Sequence, residues 1–342
     1  MKRRRPLVAL SFAAVAALAL AASGVRLGTG ESGGAAALPG KVQAPAGPPP
    51  GSEPAMVGEG VISTPDDEFG ATFSPDGRTI LYCKSVPRSQ FYVILESHWE
   101  NGRWGAPRIA PFSGKWRDSD PVFSRDGRRV YFASDRPVNG VDKKNFDIWW
   151  VPRTEKGWGE PVNMGPPINS DRNEDFISFT ADGTAYFTSG REGSAGGLDV
   201  WRSRLVDGKY AEPENLGTAI NRKEWFNIEA WVSEDESMLL VGGFGHANGP
   251  GNSDILVSYR TNSVWGELKP LGPKVNTTAR DYSPRISLDG RSLFFSSERG
   301  MPSAPRSALW TAAEFEKASA SVRNGLGNIY RIRLEDALAG TR

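Results

Sequence analysis

The stretch SDPVFSRDGRRVYFASDR, residues 119–136, reads as two short apolar strands joined by a tight turn. Val122 and Phe123 end the first strand, Ser124-Arg125-Asp126-Gly127 turns the chain, and Val130-Tyr131-Phe132-Ala133 supplies a second strand of good β-formers. Asp-Gly between two such runs signals a hairpin, because glycine accepts the positive φ that a strand-matched turn requires. A single hairpin cannot bury its own apolar face. The phrase therefore has to recur, and it does, as ATFSPDGRTILYCKS from Ala71, ISFTADGTAYFTSGR from Ile177, AWVSEDESMLLVGG from Ala230 and PRISLDGRSLFFSSER from Pro284.

The turn aspartates Asp76, Asp126, Asp182, Asp235 and Asp289 are 50, 56, 53 and 54 residues apart, a period that suits one propeller blade. The fourth copy carries Glu236 where the others have glycine, which predicts a turn of a different type there. Each hairpin is followed by a third strand (FYVIL, FDIWWV, LDVWRS, SDILVS, GNIYRI) and usually by a fourth element opened by an aromatic residue, as in RWGAPRIAPF and GWGEPVNMGPPIN. Four strands per repeat around an axis is the plan of an all-β propeller with five four-stranded antiparallel blades.

The chain ends before a fourth strand for repeat five is written, while SEPAMVGEGVIST, residues 52–64, reads like GEPVNMGPPINSD of repeat two. Ile62 to Asp76 spans 14 residues, as do Ile168 to Asp182 and Val275 to Asp289. The segment around Val57 to Ile62 is thus expected to close the ring as the outer strand of the last blade, leaving no edge between the chain ends. The organisation that follows is a signal segment over 1–23, a Gly/Ala/Pro-rich flexible linker over 24–52 and a propeller over 53–342. The blades fall at about 66–113, 117–169, 173–221, 225–276 and 280–336, with the closing strand within 53–63.

The hairpin ATFSPDG, the Ser-x-Arg endings at Arg136, Arg191 and Arg299, and the Asp-Ile/Val third strands at Asp147, Asp199 and Asp254 resemble the TolB-like, WD-like propeller repeat over roughly residues 53–336. That resemblance implies a bacterial periplasmic or secreted protein. The amino terminus agrees: MKRRRPLVALSFAAVAALALAASG has four cations, an apolar core and small residues at Ala19, Ala21 and Ser23, the layout of a secretory signal. Retained uncleaved, it would be the one means of membrane attachment.

Several chemistries are disfavoured. Cys83 is the single cysteine, so no internal disulfide forms, and its alternating strand marks it as a buried, inert thiol. With only His98 and His246, neither a multi-histidine metal site nor a Ser-His-Asp triad is expected, and His246 reads as a loop residue. A net charge of +1, carried partly by the signal segment, does not suit nucleic acid. Most of the eleven tryptophans, among them Trp104, Trp149, Trp158, Trp201 and Trp265, recur at fixed blade positions and read as packing. Trp116, Trp225 and Trp310 fall off that pattern and are candidates for recognition.

The candidate ligand-binding constellation is acidic. Glu68, Asp118, Asp120, Glu174, Asp175, Glu229 and Asp281 precede or open each first strand, so an innermost first strand gathers them around one channel mouth. Such a ring could hold a cation such as Ca²⁺ or meet a basic peptide, or each carboxylate could simply cap the crossing between blades. Arg136, Arg191 and Arg299 are expected to bridge to third-strand acids such as Asp147 and Asp199. Three functions stay open: a monomeric, non-enzymatic binder of an envelope protein or peptide, the leading expectation; a secreted glycan-active enzyme using mouth carboxylates; and a purely structural module. Residues 301–325 interrupt repeat five and predict a short helix capped by Ser307.

Overall fold

The structure, a computed structural model, describes residues 42–86, 90–246, 249–301 and 307–341. Five antiparallel sheets succeed one another along the chain, giving a five-bladed β-propeller. The inner strands are Asp67–Phe73, Asp118–Phe123, Glu174–Phe179, Phe226–Val232 and Asp281–Ile286. Each pairs with the second strand of its hairpin, and that strand with a third, as in Thr79–Ser85 with Tyr92–Glu100. The helices among the described residues are two, and none is long and apolar enough to cross a membrane.

Apolar faces meet between blades. Leu81, Ile94, Phe123, Val130 and Phe132 join blades one and two; Val200, Ala230, Val241 and Leu256 join three and four; Phe73, Ile80, Phe294 and Ile329 join one and five. Burying each such side chain contributes roughly 1.5–3 kcal/mol, so a blade is stable through its neighbours. Trp104, Trp149, Trp201 and Trp265 are buried in these layers, as their periodic positions require.

The five turns share one geometry. In each, the fourth residue donates its N–H to the carbonyl three residues earlier: Gly77 to Ser74, Gly127 to Ser124, Gly183 to Thr180, Gly290 to Ser287, and Glu236 to Ser233. Glu236 sits at φ 57°, beside 68° for Gly77 and 67° for Gly127, so the different turn expected of the fourth copy does not occur. A left-handed conformation is unfavourable for glutamate. The carboxylate offsets it, because Tyr186, Arg202 (3.2 Å) and Arg260 all bond to it.

Closure uses the amino-terminal segment, with the paired strand at Ala55–Met56, slightly upstream of the expected Val57 to Ile62. Ala55 pairs with Arg331 and Met56 with Tyr330 of the last blade's third strand. The Val57 N–H still reaches the Ile329 carbonyl at 2.9 Å before the chain turns at Gly58. That turn has φ 56°, and a Cβ there would lie 2.6 Å from Ile62 Cγ1, so only glycine lets Ile62 fold back into the core. Ser63 then bonds the Ile329 backbone, as Asn169, Asn221 and Asn276 bond Ile148, Val200 and Ile255 in blades two to four.

The expected flexible linker is ordered from Val42. Gln43 and Ala46 donate to the carbonyls of Pro75 and Gly77, Arg331 Nη1 donates to the Pro48 carbonyl at 2.7 Å, and Arg333 N–H to that of Gly51. This strap ties blade one to blade five; residues 1–41, with the signal segment, lie outside the described residues. The insertion in blade five forms the helix Ala312–Ser319, capped by Thr311 in place of Ser307. Glu314 at the third helical position returns the bond to the Thr311 backbone, a reciprocal cap that Ser307 is too far upstream to make.

Deleting residues 42–64 leaves Asn328–Arg333 as an open edge and is expected to abolish cooperative thermal unfolding, read by circular dichroism; a preserved transition would contradict closure by this segment. Glu236→Ala is expected to cost about 2 kcal/mol in urea unfolding, and Glu236→Gly about 1 kcal/mol less, because glycine accepts the turn but not the ion pairs.

Candidate active site at the channel mouth

Four of the seven expected acids are engaged in holding blades together. Glu68, Asp118, Glu174 and Asp281 are buried at the start of their inner strands. Glu68 accepts from Thr64 N–H (2.9 Å), Asp118 from Ser113 (2.8 Å), Glu174 from Ser170 N–H (2.8 Å) and Asp281 from Thr277 N–H (2.6 Å), all in the preceding inter-blade crossing. The Ser-x-Arg endings complete the clasp: Arg136 reaches Asp118 at 2.6 Å, Arg191 reaches Glu174 at 3.3 Å and Arg299 reaches Asp281 at 2.9 Å. The expected bridges to third-strand acids are therefore corrected. Asp147 is instead held by Lys143 and Asn163, both at 2.9 Å, and Asp199 by Asn215 at 2.8 Å.

Blade four departs from the others. Asn227 stands where they have an acid, and His246, one residue past the position at which three of them have arginine, places Nε2 3.0 Å from Asn227 Oδ1. His246 is a loop residue, as expected, just past the strand Met238–Phe244, but it is buried, and Trp225 lies 4.5 Å from its ring. Burial and nearby Arg222 push its pKa down to about 4, so it is neutral at pH 7.

The remaining three acids converge. Every inner strand slips register just past its clasp residue, between Phe69 and Thr72, Ser119 and Val122, Asp175 and Ser178, Asn227 and Glu229, and Tyr282 and Arg285. Asp120 (φ 52°), Phe176 (φ 43°) and Ser283 (φ 50°) take left-handed conformations within these bulges. A bulge re-aims side chains, and here it brings Asp120, Asp175 and Glu229 from three successive blades within electrostatic reach of one another. Gly70 makes room: a Cβ there would lie 3.2 Å from Asp120 Oδ1.

The three carboxyls are unequal. Asp175 is pushed up to about 8, by burial first and then by the charges of Asp120, Glu174 and Glu229. Burial lifts Glu229 to about 7 against the pull of Arg280, and the Ser283 N–H donates to it. Burial also raises Asp120, but Arg285 and the Ser119 hydroxyl oppose the rise, as does Arg280. Asp120 and Asp175 keep partial exposure at the mouth, whereas Glu229 is buried. At pH 7 the mouth thus presents a neutral Asp175 beside an Asp120 faced by two guanidinium groups.

An aromatic strip adjoins these acids. Tyr92, whose phenol feels the charge of Asp175, stacks on Phe146 at 6.0 Å and meets Phe69 at 6.2 Å, and Phe69 meets Tyr282 at 6.1 Å. Trp116 and Trp225 are engaged elsewhere, by Lys115 and by His246. Among the described residues no group of three or more His, Cys, Asp or Glu side chains is arranged to hold a metal ion. A cavity of about 60 Å³, lined by Thr72, Phe123, Trp231 and Arg285, has room for a few waters. A larger one of about 490 Å³ lies under the Pro48-Pro49-Pro50 strap and shares none of the mouth carboxylates.

Sequence reading missed Arg285, although a signal was present. The equivalent inner-strand positions hold Thr72, Val122, Ser178 and Trp231, so Arg285 is the one charge in that ring. It also missed Tyr92 and Phe69, which look like ordinary strand residues until the blades close up.

No family model matches the chain, and no curated protein matches it. Solved structures similar to it include TolB from Acinetobacter baumannii, at 16% identity and TM-score 0.45 over 79% of this chain. This chain spans 55% of that TolB chain. The α-L-arabinofuranosidase PaAbf62A from Podospora anserina, in complex with cellotriose, is similar at 13% identity and TM-score 0.47 over 83% of this chain and 97% of that one. The gluconolactonase XC5397 from Xanthomonas campestris is similar at 12% identity and TM-score 0.42 over 85% and 98%. At these levels the likeness is one of fold. The leading expectation of a non-enzymatic binder is nevertheless corrected: the similar structures are in large part enzymes by name, several of them arabinofuranosidases. The mouth also has the chemical asymmetry that near-identical repeats had hidden.

Because Asp175 holds its proton in the folded state up to about pH 8 while an unfolded aspartate releases it near 4, folding is progressively disfavoured as pH rises between those values. Asp175→Asn removes that penalty. Allowing for its partial exposure, the variant is expected to gain on the order of 2 kcal/mol, a melting temperature about 4 °C higher, at pH 8.5, and almost nothing at pH 4.5. Equal gains at both pH values would exclude a buried proton on Asp175.

Proposed function

We propose that the channel mouth is the active site of a secreted or periplasmic enzyme that hydrolyses glycosidic bonds. The observation that carries this reading is the pair Asp120 and Asp175, two partly exposed carboxyls on one mouth that burial raises unequally: arginines oppose the rise at Asp120, whereas only further acids face Asp175. Glycoside hydrolysis needs such a pair: an acid that protonates the leaving oxygen and a carboxylate that activates water or attacks the anomeric carbon. Asp175 takes the first role because no cation opposes its protonation, and Asp120 the second because Arg285 and Arg280 face it. Glu229, buried behind them, helps to keep Asp175 protonated. The partly exposed rings of Phe69, Tyr92 and Phe146 supply apolar surface of the kind against which sugars pack, with buried Tyr282 behind Phe69. The basic, then apolar, then small-residue amino terminus supports export.

The test is reducing-sugar release from plant polysaccharides, peptidoglycan and a panel of aryl glycosides. Asp120→Asn is expected to lower kcat about 10³-fold on every substrate turned over. Asp175→Asn is expected to lose about 10²-fold or more on natural linkages, yet to keep near wild-type rates on dinitrophenyl glycosides, whose leaving group needs no proton. Failure of the folded wild type to act on any substrate of the panel, or full activity of both variants, would overturn the assignment.

A further inference from the structure

Arg285 enters the channel from blade five and touches or faces every other blade. Its Nη2 donates to the Asp120 carbonyl of blade two at 3.3 Å, and its guanidinium lies 4.3 Å from the Phe176 ring of blade three. It also faces Cys83 of blade one and Glu229 of blade four. The side chain is 4% exposed, and both Nε and Nη1 lack partners. Among the described residues no carboxylate pairs with it within 4 Å. A buried cation without an ion pair is expensive, and burial pushes its pKa down to about 10, which still leaves it charged at neutral pH. Such a group is not explained by blade packing, because the other four blades fill the same ring position with Thr72, Val122, Ser178 and Trp231.

We propose that Arg285 is the positioning residue of the mouth, a cation laid across the channel axis that pins the left-handed turn at Asp120 and opposes protonation of the Asp120 carboxyl. This inference rests on the glycosidase reading for its catalytic meaning, but not for its geometry. The bond to the Asp120 carbonyl fixes the one non-glycine residue that takes positive φ and also carries a mouth carboxylate. The countercharge argument follows from the groups that face Asp120. Cys83 from blade one is a thiol pushed well up by burial, and Tyr92 is likewise neutral. Asp175 from blade three and Glu229 from blade four disfavour a further negative charge. On its own strand Ser119 contributes only a hydroxyl, and Asp118 is bonded to Arg136. Arg280 is shared with Glu298 and stacks on Tyr282 at 3.9 Å. Arg285 is thus the cation not committed to another acid.

The decisive measurement is the titration of the Asp120 carboxyl by carbon-13 NMR, assigned with Asp120→Asn, in the wild type, Arg285→Gln and Arg285→Lys. The expected result is an Asp120 midpoint at least one pH unit higher in Arg285→Gln and close to wild type in Arg285→Lys. On any glycoside that is turned over, the acid limb of kcat/KM should rise by the same amount, with kcat lowered and KM little changed. An unmoved midpoint in a folded Arg285→Gln protein, or one that Arg285→Lys fails to restore, overturns the proposal, as does a loss confined to thermal stability. If the midpoint moves as stated but no glycoside is hydrolysed by the wild type, the positioning role stands and the glycosidase reading falls.

Discussion

The fold depends on a buried side chain at the head of each inner strand. Glu68, Asp118, Glu174, Asn227 and Asp281 sit where the chain, having finished one blade, crosses into the next. A crossing of this kind leaves backbone N–H and C=O groups without ladder partners, and buried groups of that sort cost about 1–3 kcal/mol each when left unmade. The clasp meets both needs. In blades two, three and five the acid accepts from the crossing, Asp118 from the Ser113 hydroxyl and Glu174 and Asp281 from backbone N–H groups, and the arginine that neutralises it donates onward to crossing carbonyls, Arg136 to Phe112, Arg191 to Pro167 and Arg299 to Lys274, each at 3.0 Å. One ion pair thereby fixes the angle between consecutive blades.

That arrangement explains why most of the acidic ring is chemically quiet. A carboxylate that already accepts from three or four donors, one of them a cation, has little acceptor capacity left for a ligand. Reactivity is left to the residues one and two positions on, where the bulge turns side chains toward the axis and no repeated arginine waits for them. Asp120, Asp175 and Glu229 occupy these positions in three successive blades, while blades one and five place Phe69, Gly70, Tyr282 and Ser283 there. The wall is therefore acidic on one side and aromatic on the other.

The repeat was legible because its signals are local. An Asp-Gly turn between β-forming runs depends on a few neighbouring residues, and the matched 14-residue intervals placed the closing segment to within a few residues. Ser63 stands for the asparagines of other blades by holding the Ile329 backbone, an equivalence visible only once the ring is closed. What failed to show in the sequence was long-range. Nothing near Arg136 indicates that its partner is Asp118 on the innermost strand rather than Asp147 on the third, and the Glu236 turn looked unlike the rest because its compensation comes from Arg202 and Arg260, distant in sequence. Site residues escaped for the same reason. Seven acids near strand starts look alike in one dimension, and their separation into clasp and channel comes from a one-residue bulge.

Blade four shows how the two sets constrain each other. In blades two and three an acid clasp and a channel carboxyl are close neighbours, Asp118 with Asp120 and Glu174 with Asp175, and Arg136 or Arg191 neutralises the clasp. In blade four His246, one residue past the arginine position, takes the arginine's place beside the clasp and burial keeps it neutral, so an acid at residue 227 would stand beside Glu229 with no clasp arginine to neutralise it. Two unneutralised carboxylates that close in a desolvated site strongly oppose ionisation of one another. Asn227 avoids this, since its amide still bonds the Ile220 carbonyl (3.0 Å) and Asn221 (3.0 Å) across the crossing while adding no charge. The acid-arginine and asparagine-histidine clasps are therefore alternative neutral pairs. The choice between them leaves Glu229, the most buried of the channel carboxyls, free of a like charge on its own strand, so that the charges it meets are those of Asp120 and the arginines of blade five.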